Sequence, residues 1–361
     1  KSESDKEYIL NAIELMVISF LTKLERQGES EIKLVSRNTK TAVKFDKQKK
    51  ILEPGKRDSY LLVKFPGSNA RATWKFAVVL RILDFISDCL THERIMTKRD
   101  IYYQDTKLFK SQQTVDLIID DIARTLKVSR SSLGIVAAQK SLICGNYQLE
   151  MADCSVLMGS GDIQLIPTMD QVARISIIRC SYVLVVEKEA VFRCLHSVRF
   201  FDRLDIGSGI LVTGKGYADI ACRQFLFQFS DLYPSIPIFA IVDSDPHGID
   251  IYANYKFGSR ALAHENGWLT TPAIQWIGIK IIDYTEDSAW IPLSRVDRRK
   301  TANLLRKPWI KQDSEIQLRT ELQRMLFLGY KCEMNTIGTE VNSVVRYITD
   351  TVFAHLNNKN S

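Results

Sequence analysis

Three apolar runs in the second half of the chain constrain its fold more than any other feature. They are YVLVVE at 182–187, GILVTG at 209–214 and IPIFAIVD at 236–243, and helical stretches separate them. Each run is continuous rather than alternating in polarity, which is typical of parallel strands covered on both faces. We therefore predict an α/β domain with a mainly parallel sheet and crossover helices, whose ligands bind beyond the carboxyl ends of the strands.

Acidic residues end two of these runs. Glu187 ends YVLVVE, and Asp243 and Asp245 end IPIFAIVDSD. Residues two apart in extended backbone point to the same side, so the two aspartates can converge on one ion if Glu187 comes from a neighbouring strand. Three carboxylates suit Mg²⁺, which also keeps waters and substrate phosphate as ligands, and DSDPHGI contains no Lys or Arg to balance their charge. In the structural alternative, an aspartate caps the next helix and Glu187 pairs with Lys188.

The motif TGKGYAD follows the second run. Gly214 and Gly216 flank Lys215, so the backbone can approach a phosphate that the ammonium neutralises. A flexible turn with a solvated lysine is the alternative interpretation.

The first half of the chain has a different pattern. Residues 5–27 have helical apolar spacing, and residues 30–65 alternate in short pieces that indicate strands or an extended arm. Three helical segments follow between residues 70 and 128, the last after Ser111 as a helix cap, and LGIVAAQKSLIC then alternates up to Gly145. Three helices and a β wing describe a winged helix-turn-helix, with a small helical bundle as the alternative.

These patterns divide the chain into three segments. They are an N-terminal helix and arm at 1–69, a winged-helix domain at 70–150, and an α/β metal-binding domain with a C-terminal helical extension at 151–361, whose tail LNNKNS has a disordered composition.

Composition excludes several classes of protein. No apolar run approaches the roughly 20 residues that span a bilayer, and the N-terminus lacks a signal peptide's apolar centre, so we expect no membrane association. Seven scattered cysteines without a CxxC pair indicate reduced thiols rather than structural zinc. The net charge of +7 favours a polyanionic partner.

Several motifs together resemble one family. VVEKEAVF, TGKGYAD and DSDPHGI are similar to the Toprim domain of the A subunit of topoisomerase VI and its eukaryotic relatives, the transesterases that start meiotic recombination; EKEAVF resembles the eukaryotic branch. NARATWKFAVVLRIL (69–83), KRDIYYQD (98–105), VAAQKSLICG (136–145) and WIGIK (276–280) agree in order, so the resemblance covers roughly residues 65–340. It implies a winged-helix domain that carries a nucleophilic tyrosine, followed by a Toprim domain that carries magnesium.

The resemblance also implies roles for single residues. It makes Tyr103 the nucleophile, Arg99 a partner of the attacked phosphate, and Glu187, Asp243 and Asp245 the metal ligands. A phenol with an ordinary pKa of about 10 is a poor nucleophile at pH 7 and needs a nearby cation or base. In a helix, residues 99 and 103 are i and i+4 and share a face, so both can engage one phosphate. Without the resemblance, a tyrosine packed against neighbouring helices would be the simpler interpretation.

The function implied is a type IIB topoisomerase-like transesterase that makes meiotic double-strand breaks. Tyr103 would form a 5′-phosphotyrosyl link to DNA with Mg²⁺ assistance, and homologous recombination would start at the break. The same metal site could serve a Toprim nuclease or primase without covalent catalysis, and a third alternative is a non-enzymatic DNA-binding scaffold.

The partners implied are double-stranded DNA, a second copy of the chain that shares the active site, accessory recombination proteins, and an ATPase-like B subunit, all in the nucleus. The chain has no GxxxxGK[ST] loop, so ATP dependence would come from the B subunit. The helix at 5–27 either docks that protein or packs on its own domain. Lys331 and Glu333 match a family pattern but receive no catalytic role. Basic residues expected at DNA phosphates are Lys98, Lys107, Lys110, Lys127, Arg130, Lys140 and Lys215.

Overall fold

The structure is a computed structural model that describes residues 3–36, 43–55, 59–136, 138–159, 161–203, 205–283, 290–334 and 341–357. Residues 358–361 of the predicted disordered tail, and residue 137 of the predicted wing, lie outside these ranges. The chain forms two compact units. The first comprises Lys1–Lys44, Glu53–Ala138 and Arg260–Glu265, and the second comprises Phe45–Leu52, Gln139–Ser259 and Asn266–Ser361.

The first unit is built on helices. Its elements are α1 (Glu3–Gln27), β1 (Ser30–Ser36), β2 (Val43–Asp46), β3 (Ile51–Pro54), β4 (Ser59–Phe65), α2 (Ala70–Thr91), β5 (Met96–Thr97), α3 (Lys98–Gln104), α4 (Thr106–Phe109), α5 (Gln112–Leu126) and β6 (Ile135–Val136). Strands β2 and β3 pair with each other and extend into the residue ranges of the second unit. The predicted helices are present, although the middle of the three segments between residues 70 and 128 is divided at Asp105 into α3 and α4. Ser111 caps α5 by accepting a hydrogen bond from the Thr114 amide. β1 and β4 pair antiparallel, so these two pieces of the segment predicted as strands or an extended arm are strands. Ile9, Ile13 and Phe20 of α1 are buried in one core with residues of α2 and α5.

The stretch expected to form the β wing divides between the two units. β6 pairs with the two-residue strand β5. Residues Leu142–Gly145, however, form β7, whose four residues are all buried and whose neighbours are β10 and β14 of the second unit's sheet. The expectation that this segment belongs to a wing is therefore wrong. Its backbone N–H and C=O groups are buried and need hydrogen-bond partners, which β10 and β14 provide.

The second unit contains a sheet of seven strands among the described residues. Its order is β10-β7-β14-β12-β15-β16, with β13 paired to β14. β12 pairs in parallel with β14 and β15, and β15 pairs in parallel with β16, whereas β7, β10 and β13 pair antiparallel. The α/β class is confirmed, but the described sheet is mixed rather than mainly parallel, because only the pairings among β14, β12, β15 and β16 are parallel. The predicted strands YVLVVE, GILVTG and IPIFAIVD are β12, β14 and β15.

The remaining bounds complete the second unit. Its strands are β7 (Leu142–Gly145), β8 (Tyr147–Met151), β9 (Val156–Met158), β10 (Gln164–Leu165), β11 (Val172–Ile177), β12 (Tyr182–Val186), β13 (Asp202–Arg203), β14 (Gly207–Thr213), β15 (Ile238–Ile241), β16 (Gln275–Gly278), β17 (Trp290–Pro292) and β18 (Tyr330–Cys332). Its helices are α6 (Glu189–Ser197), α7 (Ile220–Leu232), α8 (Pro246–Phe257), α9 (Arg295–Leu305), α10 (Ile316–Leu328) and α11 (Val341–Asn357). None of the helices in the described ranges is long and apolar enough to cross a membrane.

Candidate active site

Glu187 and Asp243, two of the three carboxylates predicted to gather at strand ends, lie close together. β12 and β15 are parallel neighbours, with Val186 opposite Ile241, so Glu187 and Asp243 emerge at the same edge of the sheet. The backbone amide of Asp243 donates a hydrogen bond of 2.8 Å to Oε2 of Glu187. The predicted convergence required Glu187 to come from a strand next to that of the aspartates, and β12 is such a neighbour of β15.

Backbone amides hold one oxygen of each of the three carboxylates. Asp243 N–H binds Glu187 Oε2, Met334 N–H binds Asp243 Oδ1 at 2.8 Å, and Gly248 N–H binds Asp245 Oδ1 at 2.6 Å. The last bond makes Asp245 the N-cap of α8, as the structural alternative expected for one of the aspartates. The second oxygen of each carboxylate takes no backbone hydrogen bond from the described residues.

Two lysines from outside DSDPHGI (243–249), which we call the acidic motif, approach its aspartates. Nζ of Lys188 lies 3.0 Å from Asp243 Oδ2 and 2.9 Å from Glu333 Oε2. Nζ of Lys331 lies 4.0 Å from Asp245 Oδ2. Lys188 therefore pairs with Asp243 rather than with its neighbour Glu187. Sequence reasoning missed both contacts, although the family pattern at residues 331 and 333 was a signal for them.

Burial disfavours the negative charge of Glu187 and Asp243. Burial, reinforced by Asp243, raises the pKa of Glu187 to about 7. Burial also raises the pKa of Asp243, against the opposing influence of the Met334 amide and Lys188. Carboxylates in such a setting are stabilised in their charged form by a nearby cation.

The donor set fits a hard divalent cation, although the side chains are not arranged around one. In the described ranges, no group of three or more His, Cys, Asp or Glu side chains is positioned to hold a metal as it stands. Glu187, Asp243 and Asp245 nevertheless each offer a second carboxylate oxygen, and those of the two aspartates already face ammonium groups. Oxygen ligands of this kind are what Mg²⁺ prefers, and an incomplete protein cage is usual for it.

The TGKGYAD loop lies directly beside these carboxylates. Lys215 has a positive φ of 51°, and the next amide, of Gly216, donates a 3.1 Å hydrogen bond to the carbonyl of Glu187. Lys140 Nζ donates to the Lys215 carbonyl at 3.3 Å, and Lys215 Nζ pairs with Glu189 at 3.0 Å. Two lysines predicted to contact DNA therefore meet at the loop that touches Glu187.

In the first unit, the predicted tyrosine and arginine lie together on α3. A capping box between Thr97 and Asp100 begins this helix. Arg99 lies in the first turn, and its Nη2 donates to the phenol oxygen of Tyr103, one turn further along the helix, at 3.4 Å. Tyr103 is 59% exposed, whereas Tyr102 packs partly buried against the core. The i, i+4 pairing is confirmed, and the described residues do not pack Tyr103 into a core.

The other predicted DNA contacts in the first unit fall into two groups. Lys98 lies 3.0 Å from Asp120 Oδ1 and Arg130 pairs with the same carboxylate, with side chains only 12% and 11% exposed. Burial lowers the pKa of Lys98. These two residues have structural partners, whereas the exposed basic residues are Lys107, Lys110 and Lys127.

Comparisons with known proteins match both halves of the chain. Residues 182–353 match the family described as the Toprim domain of Spo11 and of the topoisomerase 6 A subunit, and residues 74–135 match the one described as Type IIB DNA topoisomerase. Human meiotic recombination protein SPO11 is 32% identical over 338 residues, which are 89% of this chain and 84% of that protein. Meiotic recombination protein rec12 of Schizosaccharomyces pombe is 34% identical over 72% of this chain and 73% of its own. The A subunit of DNA topoisomerase 6 from Arabidopsis thaliana is 32% identical over 69% of this chain and 58% of its own.

Proposed function

The chain belongs to the family of Spo11 and the topoisomerase VI A subunit, and on that premise we propose that it is a topoisomerase-like DNA transesterase that makes meiotic double-strand breaks and so starts homologous recombination. One observation carries the proposal. The exposed Arg99–Tyr103 pair lies inside the type IIB topoisomerase match, and the three carboxylates lie inside the Toprim match. These are the two halves of the cleavage site that we propose.

Tyr103 is the proposed nucleophile. Its phenol oxygen forms a bond to a DNA phosphorus, the bond from phosphorus to the 3′ oxygen of the preceding nucleotide breaks, and the protein stays linked to the 5′ phosphate. The phenol proton leaves and the 3′ oxygen gains one, so one phosphodiester replaces another. Arg99, 3.4 Å from the phenol oxygen, stabilises negative charge on that oxygen and on the phosphate.

Glu187, Asp243 and Asp245 would hold Mg²⁺ through the oxygens that backbone amides leave free. When bound, the ion supplies charge stabilisation at the phosphate and the departing oxygen. The amides of Asp243, Met334 and Gly248 orient the carboxylates in advance, which lowers the cost of assembling the site.

Double-stranded DNA is the proposed substrate, and its phosphates are the proposed contacts. We propose that α2, α3, α5 and the β5–β6 pair act as a DNA-binding unit of the winged-helix type. Contacts of this kind depend on salt and carry little sequence preference. Lys98 and Arg130 are better explained by their ion pairs with Asp120. The proposed phosphate contacts are Lys107, Lys110, Lys127, Lys140 and Lys215.

The proposed active form is a homodimer in the nucleus that shares its active sites between protomers. The nucleophile and the carboxylates belong to different compact units, which supports such a division of labour. The further partners proposed are accessory recombination proteins and an ATPase-like B subunit. In α1, Leu15, Ile18 and Leu21 are at least half exposed while the opposite face is buried, so this helix both packs on its own unit and offers an apolar face for docking.

Denaturing gels with labelled DNA test the chemistry. Wild-type protein with its partners should give a covalent protein–DNA adduct that Tyr103→Phe and Asp243→Asn both lose. Tyr102→Phe is the matched control and should retain the adduct, because Tyr102 packs against the core. Cleavage without an adduct would instead support the nuclease alternative, and meiotic breaks that persist in both variants would support the scaffold.

A mixing experiment tests the sharing of active sites. Tyr103→Phe and Glu187→Gln proteins are each expected to be inactive, and their mixture should recover cleavage in heterodimers that retain one complete site. A mixture as inactive as its components would place the whole site within one chain.

A further inference from the structure

A buried carboxylate lies behind the acidic motif. Glu321 of α10 is 1% exposed. Its Oε1 accepts hydrogen bonds from the hydroxyl of Ser244 at 2.7 Å and from the amide of Ile281 at 2.6 Å, and its Oε2 pairs with Arg324 at 2.6 Å. Sequence patterns indicated no role for Glu321.

Ser244 is the residue between two of the proposed metal ligands. It is fully buried, and its carbonyl also accepts the Cys332 amide at 3.0 Å, so α10 and β18 both attach to it. The backbone here is extended, with φ −141° and ψ 165° at Asp245. In extended backbone, the side chain of a residue points opposite to those of its two neighbours. The hydrogen bonds that hold Ser244 on one side of this backbone therefore direct the side chains of Asp243 and Asp245 to the other side.

Stability alone is a weak reason for this arrangement. Taking a carboxylate out of water is unfavourable, and well-packed apolar residues often serve a core equally well. Groups that orient metal ligands from behind, by contrast, commonly determine metal affinity.

We infer that Glu321 is a positioning residue for the acidic motif and that it acts through Ser244. This inference rests on the proposed function, because it takes Asp243 and Asp245 as metal ligands. The Ser244 hydroxyl transmits the position of Glu321 to the backbone that carries both aspartates.

Mn²⁺ binding to the full chain, measured by electron paramagnetic resonance, tests the inference. Ser244→Ala removes one hydroxyl and keeps the main-chain bond to Cys332, so it is the mild variant. Glu321→Gln replaces one carboxylate oxygen, which accepts hydrogen bonds, by an amide nitrogen, which donates them. That nitrogen faces either the donor group of Arg324 or the hydroxyl of Ser244. Each variant should bind Mn²⁺ about 10-fold more weakly. The double variant should bind no more weakly than the weaker single variant, because the two residues act as one unit.

Glu315→Gln is the matched control. Glu315 is also a buried acid, 2% exposed, and pairs with Lys256 at 2.8 Å, away from the acidic motif. Its replacement should lower the unfolding temperature and leave Mn²⁺ affinity as in wild type. A merely structural role for Glu321 predicts this same result for Glu321→Gln, which would overturn the inference.

Three further outcomes are decisive. Wild-type Mn²⁺ affinity in Ser244→Ala, or fully additive losses in the double variant, would overturn the inference while leaving the metal site in place. If Asp243→Asn binds Mn²⁺ as wild type does, the proposed metal site itself fails and the inference fails with it. Asp243→Asn therefore distinguishes the two failures.

Discussion

Replacing Lys188 by methionine is expected to tighten divalent metal binding about 10-fold. The Lys188 ammonium lies 3.0 Å from Asp243 Oδ2, the oxygen that no backbone amide holds, and 2.9 Å from Glu333 Oε2. A metal ion that binds Asp243 through this oxygen has to displace the ammonium. Methionine keeps the length and apolar stem of the side chain and removes its charge.

The burial of the pair sets the magnitude. Exposed ion pairs contribute about 0–1 kcal/mol, whereas breaking a buried pair costs about 3–5 kcal/mol. The Lys188 and Asp243 side chains are 21% and 7% exposed, so the pair lies between these limits. Glu333 retains the displaced ammonium, which reduces the cost further. We therefore expect the lysine to oppose metal binding by about 1.4 kcal/mol, which corresponds to the 10-fold change.

Mn²⁺ titration followed by electron paramagnetic resonance measures this change directly. Lys188→Arg is the control, because it preserves the positive charge and should keep affinity near that of wild type. Unchanged or weaker binding in Lys188→Met would refute the reasoning, since it would show that the ammonium does not compete for Asp243.

Three other substitutions probe the fold, and a fourth probes DNA binding. Gly145→Ala should destabilise the second unit by about 3 kcal/mol or more in thermal unfolding, because φ is +124° and the added Cβ would collide with a main-chain carbonyl of β14. Lys98→Met should cost about 1–3 kcal/mol by removing a partner of buried Asp120 and should leave the salt dependence of DNA binding unchanged. Lys127→Ala should instead reduce that salt slope by about 0.9 with little change in stability. Thr97→Ala should remove the cap of α3, cost about 1 kcal/mol, and lower the yield of covalent adduct.

Local pattern was enough for the elements and for part of the site. Continuous apolar runs are a property of neighbouring residues, so β12, β14 and β15 could be predicted without knowledge of their partners. The same is true of helix periodicity, of the Ser111 cap, and of the i, i+4 pair Arg99 and Tyr103, whose contact follows from helix geometry. Because parallel strands end at one edge, the meeting of Glu187 and Asp243 could be predicted for neighbouring strands, whereas the structure was needed to show that β12 and β15 are neighbours.

Assignments that depend on long-range partners could not be made in this way. LGIVAAQKSLIC alternates like a wing, but its last strand pairs with β14, some 65 residues further along the chain. Lys98 and Arg130 look like any other basic residues near a helix until Asp120 is found between them. A side chain's burial and partner are decided by packing, which the local pattern does not encode.

The sequence by itself therefore determined that acids would stand at the ends of parallel strands and that an arginine would accompany the tyrosine. Only the tertiary structure decided what surrounds those acids. Lys188 meets Glu333 across 145 positions, and Ser244 meets Glu321 across 77. The reason is physical, since apolar periodicity specifies which faces are buried, whereas a buried charge takes whichever partner the packed elements bring within hydrogen-bond distance.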